Sequence, residues 1–82
     1  MERFEKLIER LLSRPTDFTW AELQTVMKKF GYTEKKARGS GRKFINTKTG
    51  HILSLHKPHP GKILKPYVIE NVINKLIESG II

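Results

Sequence analysis

The chain is 82 residues long, has no cysteine and carries a formal net charge of +8 at pH 7. That length supports one small domain, and 38% hydrophobic content with four Phe, two Tyr and one Trp is enough to build its core, while the absence of cysteine excludes disulfide frameworks and thiolate chemistry. No apolar run approaches the roughly 20 residues of a membrane span, and the N-terminus alternates charge with hydrophobe in place of a signal-peptide core, so a cytoplasmic protein is expected.

Phe4, Leu7, Ile8, Leu11 and Leu12 recur at helical spacing, with Glu2, Arg3, Glu5, Lys6, Glu9 and Arg10 on the other face. This pattern predicts a first helix of about three turns, closed by Pro15. Thr19-Trp20-Ala21-Glu22 has the form of a capping box, and Phe18 and Leu23 are spaced for a hydrophobic staple. A second helix is therefore predicted from Trp20 to Phe30. Its stripe of Trp20, Leu23, Met27 and Phe30 faces the core, and Gly31 takes the left-handed position that ends a helix.

Beyond Gly31 the period shifts to two. Tyr32–Arg38, Arg42–Thr47 and His51–His56 read as short strands, joined by Gly39-Ser40-Gly41 and by Lys48-Thr49-Gly50 as hairpin connections. A three-stranded antiparallel meander follows, with one face on helices and the other toward solvent. Leu53 and Leu55 alternate with Ile52, Ser54 and His56. In the second strand Phe44 lies between Lys43 and Ile45, and the pattern leaves its inner face open.

Lys57-Pro58-His59-Pro60-Gly61-Lys62 cannot be regular structure, because two prolines remove backbone donors and constrain the residues before them. It reads as a stiff, exposed, basic loop. Pro66 suits the first turn of a last helix, in which Val68, Ile69, Val72, Ile73, Leu76 and Ile77 form an apolar stripe ended by Gly80. The fold class expected is α+β, in the order α-α-β-β-β-α, with a three-stranded antiparallel sheet packed on helices. No repeat, low-complexity segment or linker divides it, so residues 1–82 read as a single domain.

Charge is concentrated in the middle. From Lys35 to Lys65 lie nine of the sixteen Lys and Arg, all three His, and no Asp or Glu. The other seven bases are matched by all eight acids, so the whole positive excess sits in this window. A field of one sign at that density raises the local concentration of polyanions, and a phosphate backbone is the simplest partner. Solubility alone does not require it. His51 opens a strand after a glycine turn, which suits a hairpin cap as well as a functional role. His56 and His59 flank Lys57-Pro58, but no acid or cysteine in the window completes a ligand set, so neither a metal nor another cofactor is expected. Ser40 has no hydrolase elbow around it, yet the amides of its Gly-Ser-Gly turn can cradle a phosphate. Neither a membrane nor a small-molecule substrate is implied.

From Trp20 onward the chain resembles the HicA toxins of toxin–antitoxin pairs. The matching features are Gly31-Tyr32, the turn Arg38-Gly39-Ser40 leading to Phe44, the hairpin Thr49-Gly50-His51, and His59-Pro60-Gly61-Lys62 with Leu64-Lys65-Pro66 ahead of the closing helix. The resemblance covers about three quarters of the chain. The resemblance implies a double-stranded-RNA-binding-domain-like fold, with residues 20–80 as the core and residues 1–14 as an additional N-terminal helix. It also implies metal-independent cleavage of messenger RNA and neutralisation by an antitoxin, an acidic one if it covers the basic face. The family's catalytic histidine usually follows the Gly-Ser turn, and here that position is Gly41. Imidazole suits transfer of a 2′-hydroxyl proton because its unperturbed pKa is about 6.5. The catalytic candidates are therefore His56, His59 and His51. The RNA-binding candidates are Arg38, Ser40, Arg42, Lys43, Lys57, Lys62 and Lys65, which would neutralise phosphate.

Two other readings stand beside this one. A non-catalytic RNA-binding module on the same fold would explain Gly41. A DNA-binding helical module built on the first two helices has only Lys28 and Lys29 as cations on the second and leaves the central basic window unused.

Overall fold

The computed structural model describes residues 2–39, 41–58 and 61–82. Its elements are α1 (Glu2–Leu12), α2 (Trp20–Lys29), β1 (Tyr32–Lys36), β2 (Gly41–Asn46), β3 (Ile52–His56) and α3 (Pro66–Glu78). The predicted order and the α+β class are those observed.

Each helix is bounded by local chemistry. Arg14 ends the first helical segment in the left-handed region (φ 55°), just before Pro15, and its amide donates to the Leu11 carbonyl at 3.0 Å. At the start of α2 the capping box is complete: the Glu22 amide donates to Thr19 Oγ1 at 3.1 Å, and the Thr19 amide donates to Glu22 Oε1 at 2.9 Å. Phe30 caps this helix, one residue earlier than the sequence pattern predicts, and Gly31 follows with φ 92°. The end of α3 is a complete Schellman motif. Gly80 (φ 79°) donates to the Ile77 carbonyl and Ile81 to that of Leu76, both at 3.0 Å.

The strands form one antiparallel sheet in the order β1-β2-β3. β1 stops at Lys36, short of the predicted Arg38, because Ala37 and Arg38 belong to the turn. The Ala37 amide donates to the Gly41 carbonyl at 2.9 Å, and the Gly41 amide returns to the Arg38 carbonyl at 2.8 Å. β2 ends at Asn46, one residue short of the predicted Thr47. Asn46 is buried; its Oδ1 accepts from the amides of Lys48 (2.9 Å) and Thr49 (3.0 Å), and its Nδ2 donates to the Phe30 carbonyl at 3.1 Å. One side chain thus closes the second hairpin and ties it to the end of α2.

Pairing settles the face left open in β2. Phe44 stands opposite Glu34 and Leu53, and Asn46 opposite Tyr32, so Tyr32, Phe44, Leu53 and Leu55 share the inner face and are all buried. α2 packs against β1, and α3 against β3. The core joins these strand residues to Phe18, Trp20, Leu23, Val26, Met27, Leu64, Ile69, Val72, Ile73 and Leu76. Phe18 and Leu23, the predicted staple pair, are both fully buried. The stripe of α3 is narrower than predicted, since Ile77 lies 54% exposed. α1 contacts α2 and α3, burying Leu11 while Leu12 stays at the rim. Arg14 joins this region to α3 by donating to Glu70 from Nε (2.7 Å) and Nη2 (3.1 Å).

Candidate nucleic-acid interface

Strand alternation and register define the second face of the sheet. Thr33, Lys35, Lys43, Ile45, Ile52, Ser54 and His56 carry the opposite parity to the buried set, and Gly41 lies among them. Three rows cross the strands. Thr33, Ile45 and Ile52 form one; Lys35, Lys43 and Ser54 form the next; Gly41 and His56 pair at the end. Lys35, Lys43, Ile52, Ser54 and His56 are exposed. No carboxylate belongs to this face. Glu34, the one acid of the three strands, has inner parity and accepts from Gln24 Nε2 of α2 at 2.6 Å.

A shallow cleft of about 240 Å³ lies at the Gly41–His56 end, lined by Arg38, Gly41, Arg42, Lys43, Ser54 and His56 among others. Lysine, arginine, a hydroxyl and an imidazole meet there. A larger groove of about 560 Å³ between α2 and β1 contains Lys28 and Glu34 but no histidine. Directly opposed residues of an antiparallel pair hold their Cβ positions about 4.5–5.5 Å apart, so the His56 side chain rises beside the bare Gly41 backbone. Gly41 is bare for a local reason. A Cβ there would stand 3.0 Å from the Arg38 carbonyl oxygen and 3.3 Å from the Ala37 Cβ, inside the turn that joins β1 to β2.

The remaining candidates are scattered around this centre. Arg38 is exposed in the turn, and Lys57 follows His56 directly. Lys62 and Lys65 are exposed at the far end of the same connection. Their backbone is anchored there: the Lys62 carbonyl accepts from the Trp20 amide at 2.8 Å, Ile63 bridges to Thr19, and Lys65 is the N-cap of α3. His51 lies at the opposite end of β3 with inner parity, where its Nδ1 is 2.9 Å from the hydroxyl of buried Tyr32. Arg42 also has inner parity and pairs with Glu34, Nε to Oε2 at 3.7 Å. Ser40 and His59 lie outside the described residues.

Two members of the outer row, Lys35 and Ser54, were not among the sequence candidates. Ser54 was within reach of the pattern, because Leu53 and Leu55 as core residues place it beside His56. Lys35 was not, because its alignment with Lys43 depends on how many residues the first hairpin spends in its turn.

A family model described as the HicA toxin of bacterial toxin–antitoxin systems matches residues 20–81. That span begins at the first residue of α2 and includes the sheet, the basic connection and all of α3. No curated protein and no solved structure matches the chain.

Proposed function

The chain belongs to the HicA family of toxins, which act in toxin–antitoxin pairs and so have an antitoxin partner; from that premise we propose that its outer sheet face binds messenger RNA and cleaves it without a metal. The observation that carries this reading is the pairing of Gly41 with His56. Gly41 stands where the resemblance expects the catalytic histidine, and His56 offers an imidazole from the neighbouring strand on the same face.

In the proposed reaction the His56 imidazole accepts the proton of a ribose 2′-hydroxyl, and the 2′-oxygen attacks the adjacent phosphorus. The bond to the 5′-oxygen breaks, that oxygen takes a proton from water, and the hydroxide left behind takes the proton back from the His56 imidazolium. The products are a 2′,3′-cyclic phosphate and a 5′-hydroxyl. Arg38 and Lys43 beside the cleft neutralise charge that builds on the phosphoryl oxygens, while Lys35, Lys57, Lys62 and Lys65 hold the flanking backbone. His51, bonded to Tyr32 on the other face, takes no step. An antitoxin with an acidic surface would silence the toxin by covering the same face.

The test is incubation of the purified protein with labelled messenger RNA and a chelator, beside His56→Ala. Wild type should cut and leave cyclic phosphate ends, and the variant should lose roughly 10²–10⁴-fold in rate while still shifting RNA on a native gel. An unchanged rate in His56→Ala removes the histidine from the chemistry. RNA that is shifted but never cut by wild type replaces the nuclease reading with that of a binding module.

A further inference from the structure

Arg42 lies inside the basic window and lines the cleft, but its donors are engaged within the protein. Its side chain is 17% exposed. Nη1 donates to two carbonyls of the β1–β2 turn, Gly41 at 2.8 Å and Gly39 at 3.2 Å. Nε faces Glu34 Oε2 at 3.7 Å, and the other carboxylate oxygen of Glu34 accepts from Gln24 of α2 at 2.6 Å. The connections therefore run from α2 through β1 and the Arg42 guanidinium into the turn that carries Arg38 and Gly41.

We infer that Arg42 is a positioning residue: a clamp that holds the Ala37–Gly41 turn against β1 and so sets Arg38 and the Gly41–His56 pair, in place of binding phosphate itself. Three features of the geometry support it. The turn contains Gly39 in the left-handed region (φ 55°), and among the described residues two backbone bonds close it, Ala37 to Gly41 and Gly41 to Arg38. Gly41 has no side chain with which to anchor itself. The Gly41 carbonyl already accepts from Ala37 and takes a second donor from Arg42, which uses both of its lone pairs. A guanidinium can serve two carbonyls and a carboxylate at once because its donors are held in a planar fork. A lysine ammonium lacks that fixed geometry.

The consequence for the site rests on the ribonuclease reading above, since a displacement of about 1 Å at a reacting centre can cost roughly 10²-fold in rate. Arg42→Ala, Arg42→Lys and Glu34→Ala are compared with wild type by two measurements. The first is amide hydrogen exchange of the free protein. The amides of Ala37 and Gly41 should lose protection in Arg42→Ala and Glu34→Ala. Unchanged protection in both overturns the clamp, whether or not the protein acts on RNA. The second is RNA cleavage and the salt dependence of RNA binding. kcat should fall roughly 10²-fold in Arg42→Ala, and Glu34→Ala should follow it, although a carboxylate cannot be a phosphate ligand. The slope of log affinity against log salt should stay as in wild type, and Arg42→Lys should not restore kcat. A slope shallower by about 0.7 in Arg42→Ala, with recovery in Arg42→Lys, would make Arg42 a phosphate ligand and overturn the inference. If wild type neither binds nor cuts RNA, the functional reading fails, and the exchange measurement alone decides the clamp.

Discussion

His56 and His51 stand five positions apart on one strand segment and serve opposite surfaces, because odd separation reverses side-chain direction in an extended chain. Parity with Leu53 and Leu55 sends His51 inward, where it meets the hydroxyl of Tyr32, and sends His56 outward into the acid-free face. Alternation alone therefore sorts the two, once the core residues of the strand are recognised. The pair Arg14–Glu70 shows what alternation cannot sort, since its members lie 56 residues apart. Hydrogen bonding to Arg14, reinforced by its charge, holds the Glu70 carboxyl below its ordinary range against the opposing effect of burial. A carboxyl depressed in the folded state contributes stability above its unfolded pKa and loses it as pH falls through the folded value. Both side chains are about half exposed (51% and 48%), so the contribution is small and screened by salt. The difference in melting temperature between wild type and Glu70→Gln should accordingly be greatest at neutral pH and close in acid below the ordinary carboxylate range. A difference that stays constant into acid would show that the pair contributes nothing.

At the scale of elements, the hairpins carry the proposed site and are held by different devices. The second closes on a buried asparagine: Asn46 satisfies two amides of its own turn and one carbonyl at the end of α2. Asn46→Ala removes one hydrogen-bond partner from each of these three part-buried groups. With a buried unsatisfied group costing about 1–3 kcal/mol and water reaching part of this turn, a loss of about 2–3 kcal/mol in urea unfolding is expected. A loss under about 0.5 kcal/mol would mean that solvent replaces the side chain. The capping box of α2 and the glycines that end α2 and α3 were legible beforehand because each is a local code within a few residues. Asn46 was not legible, since an asparagine before Thr-Lys-Thr-Gly reads only as turn chemistry. Its third bond, to Phe30, exists only after the hairpin folds back on α2.

For the whole molecule, charge and fold divide the surface. α2 and α3 pack on the inner face of the sheet and α1 packs on those helices, while Lys35 and Lys43, across the middle row of the outer face, stay exposed. Among the described residues no helix is long and apolar enough to cross a membrane. A face of this kind predicts binding dominated by displaced counterions. The affinity for single-stranded RNA should fall linearly on logarithmic axes with rising salt, and Lys43→Ala should make that slope shallower by about 0.7. Lys75→Ala, on α3 and beside Glu78, should leave it as it was. Equal slopes in wild type and Lys43→Ala would move the RNA off this face.

Features coded within a few residues or in composition could be read without the fold: six elements in order, caps at Thr19, Gly31 and Gly80, and a central basic window free of acids. These are local because hydrogen bonding and side-chain alternation are repeated over one or two turns of chain. Which cations and histidines share a surface was settled by the packing of distant segments. Register across the strands aligned Lys35 with Lys43 and set His56 opposite Gly41, while the turn bonds drew Arg42 inward to Glu34. Register depends on how many residues each turn consumes, and a change of one would send every following side chain to the other face.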